Sequence, residues 1–276
     1  MTKKRALRVL GSLASGALLL EASLAHLLWH SGRLRSSAAL LAGGVAADAL
    51  FLYSFLIPNF PLTGRVFYRG DPDGNLVALT FDDGPRQPYT GQILDVLKRE
   101  GARATFFVLG ENARRHPELV KRIAFEGHSV GNHGMDHDIL MWASAGAARS
   151  QLEAGDEALK AAGVPNPAPL FRAPHGWLSP AAHRAITGSG YRVTGWSKGV
   201  WDTACPGTEV IVSRTAEVLR PGAVLLLHDG WQGPDPEDRS QTVAALPEII
   251  REGRNRGLRF VTLEEMMEPS RQEAAI

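Results

Sequence analysis

A parallel α/β fold is what this 276-residue chain predicts. Short apolar runs of buried-strand type recur, amphipathic helical stretches alternate with them, and glycine follows several of those stretches. Six or more such units within residues 63–276 suit a barrel better than a sandwich, although the same alternation serves an open doubly wound sheet.

The elements follow in order. Residues 76–81 form a continuous apolar strand, and residues 90–100 a helix with Ile93, Leu94 and Leu97 on one face and Gly101 at its stop. Residues 104–108 repeat the strand signal, and residues 117–126, closed by Gly127, repeat the helix. Later strands are predicted at 169–172, 191–195, 223–227 and 259–263, with helices at 145–162, 180–187, 208–219 and 242–254.

Residues 1–62 read differently. Two apolar runs, 6–29 and 37–57, flank a basic loop with Arg33 and Arg35. Each is long enough for the roughly 20 residues that cross a hydrocarbon core of about 30 Å. Lys3, Lys4 and Arg5 give a positive start without a clear small-residue cleavage site, which favours an anchor over a removable signal. Glu21, His26 and Asp48 interrupt the spans and would have to pair or serve a function. Basic residues flank every segment and leave orientation open: a hairpin keeps the large part inside, a single span puts it outside. The expected division is a membrane-anchoring helical segment of one or two spans at 1–62 and a second domain at 63–276, with residues 59–64 as linker.

The formal charge of +1 divides into six basic against two acidic side chains in residues 1–62 and a mildly acidic remainder. Nothing there marks a nucleic-acid binder. A lone cysteine, Cys205, excludes an internal disulfide and a thiolate metal cage.

Polar clusters gather where apolar strands end. Residues 76–81 run into Asp82, Asp83, Gly84 and Pro85, and residues 223–227 into His228, Asp229 and Gly230. Catalytic groups of parallel α/β folds collect at the carboxyl ends of strands. Adjacent carboxylates crowd charge that a proton, a cation or a basic partner relieves, and residues leaving a strand point to different sides. Asp82 and Asp83 can therefore hold different roles at one centre, or simply form a solvated turn. His133 and His137, four apart, can ligate one ion from a helix face or tight loop. With an Asp they suggest a two-histidine, one-carboxylate site that suits zinc, with cobalt, nickel or iron as alternatives. Arg172, before Ala173, Pro174, His175 and Gly176, can orient a carboxylate, and a backbone N–H near His175 can face a substrate.

Taken in order, T-F-D-D-G-P at 80–85, H-x-x-x-H at 133–137, R-A-P at 172–174 and L-L-L-H at 225–228 resemble the polysaccharide deacetylase family, carbohydrate esterase family 4. The resemblance spans about residues 65–265. It implies a distorted parallel (β/α) barrel that removes acetyl groups from N-acetylated sugars with a divalent metal ion, usually zinc. It further implies Asp83, His133 and His137 as metal ligands, Asp82 as general base oriented by Arg172, and His228 as general acid. An N-acetylated glycan is then the expected partner beside the membrane, and the catalytic domain is expected outside the cytoplasm. Hydrolysis of another small or cyclic amide, or glycan binding without catalysis, are the competing readings.

Three positions depart from the family pattern. Gly134 stands where a hydroxyl residue usually braces the histidine loop, and His175 where an aromatic is common. Gly199 replaces a carboxylate that tunes the catalytic histidine, while Asp202 occupies the second acidic position of that motif. Trp177 and Trp201, with Trp196 and Trp231, are candidates for a sugar-stacking surface; His175, Trp177 and Trp201 are taken as substrate-binding.

Overall fold

The computed structural model describes residues 42–46, 64–234 and 236–268. The chain divides into two compact units, Met1–Leu62 and Thr63–Ile276. In the first, residues 42–46 are helical. The expected membrane runs otherwise lie outside the described residues, and among the described residues no helix is long and apolar enough to cross a membrane.

The second unit is built on one sheet of eight strands: β1 (Leu76–Asp82), β2 (Ala104–Val108), β3 (Ser129–Asn132), β4 (Leu170–Phe171), β5 (Arg192–Val193), β6 (Lys198–Gly199), β7 (Val224–His228) and β8 (Arg259–Phe260). Their order is β5-β4-β3-β2-β1-β7-β6, β8 pairs with the start of β1, and every strand pair is parallel. Helices α1 (Tyr89–Arg99), α2 (Gly110–Arg115), α3 (Pro117–Phe125), α4 (Ala145–Ala161), α5 (Pro180–Gly188), α6 (Thr208–Ala216), α7 (Ser240–Asn255) and α8 (Leu263–Met267) connect or follow them.

The fold is a curled half-barrel rather than a ring closed by strand pairing. β5 and β6 lie at opposite ends of the pairing order, yet residues 194–197 alone join them. Five residue steps reach at most about 17 Å, so the two edges must curl toward each other. Residues 67–69 help span the gap, with a bridge from Phe67 to Thr194 and another from Arg69 to Ala223.

Burial follows the sequence pattern. Val77, Ala78, Leu79, Thr80 and Phe81 are completely buried, as a central parallel strand covered on both faces requires. Phe81 stacks on Phe106 with centroids 5.0 Å apart. Ile93, Leu94 and Leu97 of α1 share the main core with Val120 and Ile123 of α3 and with Leu246, Ile249 and Ile250 of α7. Ser144 and Ser179 cap α4 and α5 by accepting from Ala147 and Ala182 N–H.

Differences from the sequence expectation have local causes. The strand predicted at 259–263 stops at Phe260 because Thr262 and Glu265 form a capping box that starts α8. β3 (S-V-G-N) and β6 (K-G) were not predicted, since they carry almost no apolar signal; their backbones pair because neighbouring strands are already in place. The helix predicted to 219 ends at Ala216.

Candidate active site

The carboxyl ends of β1, β3, β4 and β7 bring the candidate residues together. Asp82 is the last residue of β1 and pairs in register with His228, the last of β7. Asp83 then enters the left-handed region at φ 70°, an uncommon conformation for a non-glycine residue. The two carboxylates consequently meet different partners.

Asp82 is buried, and its Oδ1 accepts from Arg172 Nη1 at 2.8 Å. The completely buried Arg172 also donates to Thr80 Oγ1 at 2.7 Å and Gly195 O at 2.6 Å. Its guanidinium carbon lies 4.1 Å from the Phe107 ring centroid. A cation so enclosed holds the carboxylate in one place.

Asp83 Oδ1 lies 3.3 Å from His133 Nε2 and 3.0 Å from His137 Nε2. His133 Nδ1 sits 2.8 Å from Arg172 O; a carbonyl only accepts, so Nδ1 carries a proton and the ring is turned with Nε2 toward Asp83. Among the described residues these three offer a metal-binding group, with ligand atoms all within 4.8 Å of one another. Asp83 Oδ1 is also buried without a hydrogen-bond partner, which a cation among the three donors would remedy. The donor set thus fits a divalent ion. Burial alone would raise the Asp83 pKa, but the His137 charge and the closeness of both imidazoles outweigh it and hold the carboxyl well below its ordinary value.

The two histidines share a loop, not a helix face. Gly134 stands at φ 83°, where glycine is favoured, and its N–H donates to Asn132 Oδ1 at 2.7 Å. Met135 N–H donates to Gln151 Oε1, and Gln151 Nε2 to Asp136 Oδ1, both at 2.8 Å. The bracing that Gly134 cannot supply through a hydroxyl comes from Asn132 and Gln151.

On the other side, His228 Nδ1 lies 2.8 Å from Asp202 Oδ1, and its backbone N–H donates to Asp202 Oδ2 at 2.8 Å. Thr242 Oγ1 donates to the same Oδ2 at 2.9 Å. Gly199 therefore leaves no vacancy at the histidine: Asp202, placed by sequence at the second acidic position, is the supporting carboxylate. Burial would lower the His228 pKa, yet the Asp202 charge and hydrogen bond, aided by Asp83 and Asp82, raise it to about 9. The imidazole is protonated at neutral pH.

Asp229 directly follows His228. It is buried, accepts from Thr90 Oγ1 at 2.6 Å and leaves Oδ1 unpartnered. Burial, with the Asp83 and Asp82 charges, raises it to about 7 against the opposing Thr90 bond.

The substrate-binding candidates sit around this centre. His175 stands at φ 59° in a turn over Pro174–Gly176, its ring centroid 4.5 Å from that of His137 and 5.5 Å from that of Trp177. The N–H groups of Gly176 and Trp177 donate to Ala173 and Pro174 within the turn. Trp201 is 64% exposed at φ 58°, directly before Asp202. Trp231 is buried, with Arg86 over its ring, and does not belong to an exposed sugar-stacking surface.

Comparison with known proteins decides the family. The family model for polysaccharide deacetylase matches residues 69–194. A peptidoglycan-N-acetylglucosamine deacetylase of Bacillus cereus is 38% identical over 207 residues, 74% of this chain and 94% of the relative. The chain belongs to the polysaccharide deacetylase family. A chitooligosaccharide deacetylase of Rhizobium leguminosarum bv. trifolii is 38% identical over 70% of this chain and 92% of its own length. A crystal structure of a peptidoglycan N-acetylglucosamine deacetylase superposes with a TM-score of 0.69 at 34% identity, covering 74% of this chain and 92% of that one. Family deacetylases use a divalent metal, and this chain is a metal-dependent amide hydrolase of the polysaccharide N-deacetylase type.

Proposed function

We propose that this enzyme deacetylates N-acetylglucosamine units of a polymer, of peptidoglycan or chitin type, from a membrane-anchored position with its catalytic domain outside the cytoplasm. One observation carries the chemistry: the buried pair Asp82–Arg172 stands beside the Asp83, His133 and His137 cluster and in strand register with the Asp202-backed His228.

Asp83, His133 and His137 would hold the ion, zinc being the natural occupant of two imidazoles and a carboxylate. Bound there, it supplies Lewis-acid polarisation of the amide carbonyl and a more acidic water. Asp82, held by Arg172, takes a proton from the attacking water. The tetrahedral adduct then collapses only if its nitrogen gains a proton, because an unprotonated amine anion is a poor leaving group. His228 carries that proton at neutral pH and delivers it as the C–N bond breaks. Acetate and a free amine result, with one proton taken by Asp82 and one given by His228. Asp202 keeps His228 both protonated and oriented. His175, Trp177 and Trp201 flank the centre and would receive the sugar, with exposed Trp201 offering a face for stacking.

The test is acetate release from chitooligosaccharide and from peptidoglycan by the full zinc-loaded chain, with Asp82→Asn alongside. Release by the wild type and not by the variant is expected. Binding without release would favour a glycan-binding protein, and hydrolysis of a cyclic imide without acetate release would favour another amide substrate. Protease accessibility on intact cells checks the placement.

A further inference from the structure

A helix of six residues beside the site, α2, touches three of its loops. At the entrance to α2, Leu109 N–H donates to Gly84 O at 3.1 Å. Gly110 and Glu111 N–H donate to Gly134 O and Met135 O, each at 2.9 Å. Asn112, buried within α2, uses its Nδ2 for two carbonyls, Asp83 O at 2.7 Å and Trp231 O at 3.1 Å. These acceptors lie after β1, after β3 and after β7. Asp83 is itself a candidate ligand, and Gly134 and Met135 lie between the other two.

The approach is close. A Cβ on Gly110 would come within 2.5 Å of Met135 Sδ and 3.3 Å of Met135 Cα, so α2 seats directly against the histidine loop. Asp83 must hold an uncommon left-handed backbone to face the imidazoles. The amide of Asn112 has two hydrogens on one nitrogen, matching two carbonyls from different loops. An aspartate of the same shape would set acceptor against acceptor, and alanine would leave both carbonyls without this donor.

We infer that Asn112 is a positioning residue of the metal centre: through the Asp83 and Trp231 carbonyls it fixes the Asp83 carboxylate at the spacing that His133 and His137 require. This rests on the metal-centre reading above. Asn112 touches no reacting atom, so its loss is felt as a misplaced ligand.

The experiment titrates zinc into the full-length chain after chelator treatment, using calorimetry with a competing chelator. Thr105→Val is the control, because buried Thr105 Oγ1 accepts from Leu263 N–H at 2.9 Å near the start of β2, away from the ligand loops. Asn112→Ala should weaken zinc binding tenfold or more, Asn112→Asp further still, and Thr105→Val less than twofold. With zinc saturating, acetate release by Asn112→Ala should fall in kcat with KM little changed. Should Asn112→Ala fail to fold, Asn112→Ser is judged by the rise in Tm that zinc produces, which should be smaller than in the wild type. Wild-type zinc affinity in Asn112→Ala, an undiminished rise in Asn112→Ser, or an equal loss in Thr105→Val would overturn the inference. Failure of the wild-type chain itself to bind zinc would overturn the metal-centre reading and the inference with it.

Discussion

The proposed ligand half of the site rides on loops, whereas the proposed acid half stands at the end of a regular strand. Asp83 and His137 both sit at positive φ, 70° and 64°, and depend on bonds from Asn112, Asn132 and Gln151 to hold their loops. His228 ends a strand whose pairing already sets its backbone, and one buried carboxylate, Asp202, decides its orientation and charge. Loops allow three side chains from two distant parts of the chain to converge, at the cost of several supporting contacts. A strand end needs few supports but offers little freedom.

The largest expected effect separates the halves. His133→Ala or His137→Ala should strip the metal and lower turnover by roughly three orders of magnitude or more. His228→Ala should keep the metal while losing roughly 10²–10⁴ in kcat, the range of a lost general acid. Metal content by elemental analysis beside acetate release checks both, and loss of metal from His228→Ala would break the division.

A smaller effect probes the acid half alone. Activity should fall as pH rises through about 9, where His228 loses its proton. Asp202→Asn removes the charge that raises this pKa, so the alkaline limb should move down by a unit or more and kcat at neutral pH should drop about tenfold. Stability follows the same sign. Because the folded pKa is raised above the ordinary value of 6.5, the His228–Asp202 contribution is full below pH 6.5 and is lost as pH climbs through about 9. Denaturant melts of wild type and Asp202→Asn at pH 6 and pH 10 should differ more at the lower pH.

The smallest effect concerns Asp229. Its folded pKa of about 7 lies above the ordinary 3.8, so the folded state holds a proton that the unfolded chain releases, and stability falls as pH rises from about 4 to 7. Asp229→Asn removes that penalty and should raise the Tm of the chelator-treated chain by a few degrees at pH 8, with little change at pH 4. An equal shift at both pH values would show that packing, not charge, sets the effect.

The contrast also marks how much of the molecule its amino-acid pattern conveys. The long strands and amphipathic helices were legible because burial on both faces, or on one helical face, writes itself as apolar periodicity. β3 and β6 carry no such signal, and their pairing is set by neighbours. Asp82, Asp83, Arg172, His133 and His137 all fall within the span matched by the family model, and their motifs carry the resemblance that points to them. Asp202 and His228 lie beyond it. Asp202 is legible as the second acidic position of its motif but not as the partner of His228, because its reach to His228 depends on the left-handed turn at Trp201 and on the pairing of β6 with β7. Asn112 lies in a stretch for which the sequence predicts no element, and only the loops it bonds reveal its place.

Asp82 and His228 occupy one rung of the ladder between β1 and β7. Their Cα spacing is therefore metered by the hydrogen-bond repeat of the sheet, about 4.8 Å, instead of by any insertion or deletion above it. Evolution can lengthen, shorten or redecorate the rim to suit a new glycan while the backbones that carry the proposed proton acceptor and donor stay put.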